Sequence, residues 1–252
     1  MPRKLGQHFL ASGSILNRIA DAVCPAREDL VIEIGPGKGA LTAKLLERAG
    51  RVVAIEVDVG LVEHLRARFP TPHLELVHAD VMAADLAQWG RAPVCGNLPY
   101  YITSPILDKV VRLCPPRAVF LVQKEVAQRL TARPGTREYG YLTVQTQVFA
   151  FSKVLFHVKA SAFRPPPKVE SSVVLLEPHP GFAAADREAF LEFAGRCFHQ
   201  KRKTLRNNLV AYYPKDLVDA QPEAGMRAEQ LSLEQLIALW ERLTAAVHAR
   251  PV

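Results

Sequence analysis

Cysteine is scarce, and none of the four, Cys24, Cys95, Cys114 and Cys197, stands in a C-x-x-C pair. That spacing excludes a zinc knuckle and a disulfide framework; the thiols read as reduced and no bound metal is expected. No run of about 18 apolar residues occurs, which removes a membrane-spanning helix. The basic residues near Met1 are not followed by an apolar stretch of leader length, so the expected location is cytoplasmic. Internal repeats and low-complexity tracts are missing too. Acidic residues, 25 of them, fall short of the 32 basic ones, and the net charge of +7 makes a polyanion the first partner to consider.

Also missing is the G-x-G-x-x-G loop of dinucleotide enzymes. In its place the buried-strand pattern of Leu30 to Ile34 runs into Gly35-Pro36-Gly37-Lys38-Gly39 and then a helical pattern from Ala40 to Ala49. Strand, glycine loop and helix open a doubly wound nucleotide-binding unit. A G-x-G-x-G spacing makes no demand for a pyrophosphate, so a nucleoside carrying an amino acid, such as S-adenosyl-L-methionine, fits better than NAD. A second strand ends in Glu56, 21 residues after Gly35, where an acid receives ribose hydroxyls in such folds. Asp80 follows a third strand, Leu74 to His78, and is placed to accept from an adenine amine. Asn97 ends a fourth, Ala92 to Gly96. Open α/β sheets bind ligands at this rim, and Gly35, Glu56, Asp80 and Asn97 all fall on it.

The remaining strands, Ala118 to Gln123, Val154 to Lys159 and Ser171 to Leu176, complete an expected seven-stranded sheet with one antiparallel edge. After a linker at Pro178-His179-Pro180-Gly181 the pattern is helical. The division expected is therefore a doubly wound α/β domain over 1–180 and a small all-helical domain over 181–252. The helical part is nearly balanced in charge, with 10 basic and 9 acidic residues, yet Arg196, Lys201, Arg202, Lys203 and Arg206 fall in a stretch with no acid. Cations clustered on a balanced domain suggest a docking face more than a solubility device.

Asn97-Leu98-Pro99-Tyr100 suits one task, presenting a planar amine to an alkylating agent. The lone pair of an exocyclic amine is delocalised into its ring; acceptors on its hydrogens let the nitrogen turn pyramidal and attack. An Asn carbonyl and a main-chain carbonyl can do this. Pro99 fixes its own φ and keeps Leu98 extended, aiming the Leu98 carbonyl, and Tyr100 offers a face for stacking. Phe163, in the connector Ser161-Ala162-Phe163-Arg164-Pro165-Pro166-Pro167-Lys168, is a candidate second aromatic wall, with Arg164 and Lys168 nearby for phosphates.

Taken in order, Gly6-Gln7-His8-Phe9-Leu10, Glu33-Ile34-Gly35-Pro36-Gly37-Lys38-Gly39, Ile55-Glu56, Ala79-Asp80, Asn97-Leu98-Pro99-Tyr100-Tyr101, Tyr139-Gly140 and Phe163-Arg164-Pro165-Pro166 resemble the motifs of the ribosomal RNA adenine dimethyltransferases, in particular the small-subunit branch. The resemblance covers nearly the whole chain. It implies a Rossmann-like class I methyltransferase fold and transfer of two methyls from S-adenosyl-L-methionine to each of two adjacent adenosines in the terminal hairpin loop of 16S rRNA. It further implies action on a pre-mature small ribosomal subunit, by a monomer. By the same likeness Gln7, His8, Leu10, Gly35, Gly37, Glu56, Asp80, Val81 and Asn97 line the cofactor site. Asn97 and the Leu98 carbonyl receive the amine, and Tyr100 with Phe163 sandwiches the base. The sequence departs from the family at His8, where Asn is usual. Two alternatives stand beside this reading: a 23S rRNA adenine methyltransferase of the antibiotic-resistance type, and a non-catalytic ribosome-assembly or transcription factor.

Overall fold

The structure, a computed structural model, describes residues 8–179 and 186–249. Among them the strands are β1 (Phe9–Leu10), β2 (Glu28–Ile34), β3 (Ala49–Glu56), β4 (Leu74–His78), β5 (Val94–Asn97), β6 (Ala118–Gln123), β7 (Ala150–Val158), β8 (Phe163–Arg164) and β9 (Ser171–Pro178). The helices are α1 (Gly13–Val23), α2 (Ala40–Leu46), α3 (Val59–Arg68), α4 (Thr103–Arg112), α5 (Lys124–Leu130), α6 (Tyr141–Phe149), α7 (Arg187–Phe198), α8 (Leu205–Leu209), α9 (Lys215–Asp219) and α10 (Leu233–His248). The chain divides into two compact units, one of Met1–Ala127 with Ala150–Pro178, the other of Gln128–Phe149 with His179–Val252.

The first unit is built on a seven-stranded sheet of order β4-β3-β2-β5-β6-β9-β7. The strands from β2 to β6 pair in parallel. Val31, Ile32, Ile34, Val52, Val53, Ala54 and Ile55 are fully or almost fully buried, as expected of central parallel strands covered on both faces. The expected antiparallel edge needs correction. The reversed strand is β9, which pairs antiparallel with both β6 and β7, so β7 forms the edge. A sequence reading that pairs strands in chain order cannot see this, because β9 returns between two earlier strands. β1 and β8 form a separate antiparallel pair, Leu10 opposite Phe163.

In the second unit, α7 starts at the Asp186 cap, whose Oδ1 accepts from Ala189 N at 2.9 Å, and α10 at a reciprocal Ser232–Gln235 capping box. This unit extends beyond 181–252, because α6 packs on α7 and α10. Val144, Val148 and Tyr139 are buried there, and the Tyr139 and Phe198 rings lie 6.2 Å apart. The apolar face of α6 is thus satisfied by α7 and α10 of its own unit, which a cut at the Pro178–Gly181 linker misses.

Candidate active site at the carboxyl rim of the sheet

Four strands of the first unit end on one cavity of about 480 Å³, lined among others by Gly35, Glu56, Asp80 and Asn97. Two glycines set its shape. Gly37 has a φ of +57°, and a Cβ there would meet the Phe9 ring at 2.9 Å. At Gly96 a Cβ would lie 2.2 Å from the main-chain oxygen of Ile34, so only glycine lets β5 run this close to β2 and deliver Asn97 to the rim.

Glu56 is buried and bonded to main chain on both oxygens. Oε2 accepts from Gly37 N at 3.1 Å, and Oε1 from Val57 N and Asp58 N at 3.0 and 3.1 Å. These bonds tie the glycine loop to the end of β3 and fix the carboxylate at the cavity wall. Asp80 is exposed; its Oδ1 accepts from Met82 N at 2.8 Å, which closes a turn. That turn is also held from outside, since Lys109 Nζ on α4 donates to the carbonyls of Met82 and Ala84 at 2.8 and 2.5 Å.

Asn97 is half-buried, and its Nδ2 donates to the His8 carbonyl at 3.0 Å. A carbonyl can only accept, so this bond settles which way the amide points and leaves Oδ1 as the acceptor without a partner among the described residues. Leu98 has its side chain buried and its N–H on Leu121 O at 3.1 Å, while its carbonyl accepts no hydrogen bond among the described residues. Two oxygens of adjacent residues at the cavity wall are therefore open. Pro99 O is occupied, accepting from Thr103 Oγ1 at 2.9 Å at the start of α4. The Tyr100 hydroxyl lies 2.9 Å from Ser171 Oγ, which orients the ring, and burial raises the phenol pKa above its ordinary value.

Of the expected cofactor residues, His8, Leu10, Gly35, Gly37, Glu56, Asp80, Val81 and Asn97 line the cavity, together with Leu98, Pro99 and Tyr100. Gln7 lies outside the described residues. Phe163 is a correction: its side chain is 0 % exposed, shut in the apolar cluster with Leu10, Leu16 and Ile19, and does not line the cavity. The pairing of β1 with β8 turns it inward, opposite Leu10. Arg164 is exposed but donates to the carbonyls of Ser161 and Phe163 in its own loop, and Lys168 is exposed nearby in the chain.

The cationic stretch of the second unit is less free than its sequence suggests. Arg196 pairs with Glu192 and lies over the Tyr212 ring, Arg206 makes a two-pronged contact with Asp219, and Lys201 approaches Glu229 at 3.7 Å. Arg202 and Lys203 are exposed and make no ion pair among the described residues.

One site residue escaped the sequence reading. Glu33, the acid inside the apolar run of β2, lines the cavity and is buried, with Thr42 Oγ1 donating to its Oε2 at 2.6 Å. Desolvation raises its pKa to about 7 against the Thr42 bond, and the nearby Glu56 adds to the rise. A charged residue in an otherwise unbroken apolar strand was the signal available.

The donor set suits a nucleoside with a cationic amino-acid tail. Fixed carboxylates stand at two strand ends, and apolar walls come from Ile55, Val57 and Val81. Among the described residues no group of three or more metal-ligating side chains exists.

A family model described as ribosomal RNA adenine dimethylase matches residues 1–245. The ribosomal RNA small subunit methyltransferase A of Chlorobaculum parvum is 43% identical over 252 residues, which cover 98% of this chain and 91% of that protein. The protein of the same name from Acidobacterium capsulatum is also 43% identical, covering 95% of this chain and 90% of that one. Among solved structures, a dimethyladenosine transferase from Plasmodium falciparum superposes with a TM-score of 0.82 at 26% identity, covering 94% of this chain and 98% of that one. The 23S rRNA methyltransferase ErmE superposes with a TM-score of 0.74 at 29% identity, covering 94% and 99%. With the Rossmann-like sheet of the class I methyltransferases and a match over nearly its whole length, this chain belongs to the ribosomal RNA adenine dimethylase family.

Proposed function

We propose that this protein dimethylates the N6 amines of two adjacent adenosines in the terminal hairpin loop of 16S rRNA, acting as a cytoplasmic monomer on a pre-mature small subunit. The observation that carries the reading is the Asn97 amide, locked through Nδ2 to the His8 carbonyl with Oδ1 left open beside the free Leu98 carbonyl. S-adenosyl-L-methionine, when bound, supplies a methyl on a sulfonium, electrophilic enough to need neither a metal nor a covalent enzyme intermediate.

The residues of the chain do the rest. Asn97 Oδ1 and Leu98 O accept the two amine hydrogens of the adenine, and one of them the single hydrogen left for the second transfer, drawing the nitrogen toward a pyramidal shape with its lone pair facing the methyl; each transfer leaves the donor as a neutral thioether and releases one N6 proton to solvent. Tyr100, held through Ser171, supports the ring of the base. Glu56 and Asp80 hold the nucleoside end of the donor. An adenine reaches such a cavity only by leaving its stack, which costs less in a loop than in a duplex. Arg164 and Lys168 in one unit, and Arg196, Lys201, Arg202, Lys203 and Arg206 in the other, are the candidate phosphate contacts.

The relatives at 43% identity carry the small-subunit name, which supports that target over the large subunit. The open acceptor pair supports catalysis over a purely structural role in assembly. The test is to incubate the protein and the methyl donor with small and large subunits from a strain lacking these methyls, and to map modified nucleotides by mass spectrometry. Two adjacent dimethyladenosines in the 16S terminal loop support the reading. Methyls on 23S rRNA, or none, reject it.

A further inference from the structure

We propose that Lys109 is a positioning residue of the donor site: from helix α4 it holds the turn that presents Asp80 to the purine amine of S-adenosyl-L-methionine. The inference rests on the reading of Asp80 as an adenine contact and adds the group that keeps it in place.

Asp80 lies in a segment with little regular structure to hold it. Past the end of β4 the chain makes one turn: Asp80 O accepts from Ala83 N and Ala84 N at 3.0 and 2.9 Å, and Asp80 Oδ1 from Met82 N at 2.8 Å. The segment is tied to the sheet at its start, where Ala79 N donates to Glu56 O at 3.0 Å. At its far end the carbonyls of Met82 and Ala84 accept no main-chain hydrogen bond among the described residues. Lys109 Nζ donates to both, at 2.8 and 2.5 Å. A cation on the carbonyl end of a turn is favoured as it is at a helix C-terminus.

The lysine stands on a fixed support. It is half-buried, and its helix is seated on the core through Ile106, Leu107, Val110 and Val111. The first turn of the same helix holds the amine-accepting loop, since Thr103 Oγ1 donates to Pro99 O at 2.9 Å. Helix α4 therefore touches both the Asp80 turn and the loop that meets the target base. Asp80 Oδ1 is spent inside its own turn, which leaves Oδ2 without a hydrogen bond among the described residues and open to an amine. Asp80 lines the cavity and Lys109 does not, so the lysine acts on the donor through the turn. Where Oδ2 sits depends on that turn, and two of the carbonyls that define it rest on one ammonium.

Calorimetry on the wild type, Lys109→Met, Asp80→Ala and the double variant decides it. Two ligands are compared: S-adenosylhomocysteine, and its analogue with hydrogen in place of the purine amine. Methionine keeps the apolar stem of the lysine and removes the ammonium. Lys109→Met weakens S-adenosylhomocysteine by about 2- to 30-fold, the range for a residue that acts through a neighbour. The analogue, with no amine to present, binds the wild type and Lys109→Met alike. In the Asp80→Ala background the lysine substitution adds less than about a factor of two, because the group it positions is gone. The proposal is overturned if Lys109→Met weakens both ligands equally, which marks a general loosening, if it weakens neither, or if the two substitutions multiply. Should Lys109→Met fold poorly, Lys109→Gln, neutral and shorter, is judged by the same comparison. If Asp80→Ala binds both ligands as the wild type does, the reading of Asp80 itself fails and takes the lysine with it.

Discussion

The rim of the sheet and the Arg196–Arg206 stretch are opposites in how sequence becomes function. At the rim, residues distant in sequence, such as His8 and Asn97, 89 positions apart, are brought together and polar atoms are left open. In the stretch, three of the five cations, Arg196, Lys201 and Arg206, are answered by acids of their own unit, Glu192, Glu229 and Asp219. The difference has a physical cause. Parallel strands end in one plane whatever their loops contain, so a polar residue just past a strand end is directed to the rim. A surface cation has no such constraint, and the acid that answers it can come from any element within reach.

The largest effect expected follows from the open acceptor. Asn97→Ala lowers the single-turnover rate of methyl transfer by about 10² to 10³, by analogy with removing one preorganised hydrogen-bonding group; a rate within a factor of a few of wild type removes Asn97 from the chemistry. Next comes Glu33, the buried acid of the same rim. Its pKa is raised from 4.5 to about 7 by burial, so the folded protein keeps a proton that the unfolded chain releases in that window. Stability therefore falls as pH rises from about 4.5 to about 7, on the order of a few kcal/mol. Glu33→Gln flattens this dependence in urea unfolding without the donor; an unchanged profile means that Glu33 ionises freely.

A smaller effect separates free cations from paired ones. Replacing Arg202 and Lys203 together by Gln lowers RNA affinity and reduces the slope of log affinity against log salt by about 1.4 to 1.8, about 0.7 to 0.9 for each phosphate that is no longer neutralised. Arg206→Gln, which removes a cation already bound to Asp219, changes the slope much less. Equal changes in the two variants erase the distinction drawn between the regions. The mildest expectation concerns Cys95, in β5 one residue from Gly96. Burial raises its thiol pKa well above the ordinary value, and that of Cys24 to about 11, so both resist thiol reagents at pH 8 until the protein unfolds. Fast labelling of Cys95 in the native state shows that β5 opens.

The rim was legible because each of its residues follows a recognisable strand, and Asn97-Leu98-Pro99-Tyr100 carries its own geometry in Pro99. Glu33 was in plain view but reads as part of a strand until burial shows what the charge costs there. Phe163 misled because an aromatic in a proline-rich connector looks exposed, whereas the pairing of β1 with β8, two residues each, turns it into the core. No local pattern encodes a pairing across more than 150 positions. The place of β9 and the grouping of α6 with the C-terminal helices were hidden for the same reason, since both depend on contacts distant in sequence. His8 shows the converse: the motif set marked it as unusual, but only the structure gives its ring a neighbour in Tyr100.

Where the target amine meets the protein decides the chemistry, and that distance can be measured. A structure of the protein with an unreactive donor analogue and an adenosine-containing hairpin should place N6 about 2.7 to 3.2 Å from Asn97 Oδ1, with Leu98 O within the same reach. An N6 beyond hydrogen-bonding distance of both oxygens, or an Asn97 amide rotated to turn Nδ2 into the cavity, contradicts it.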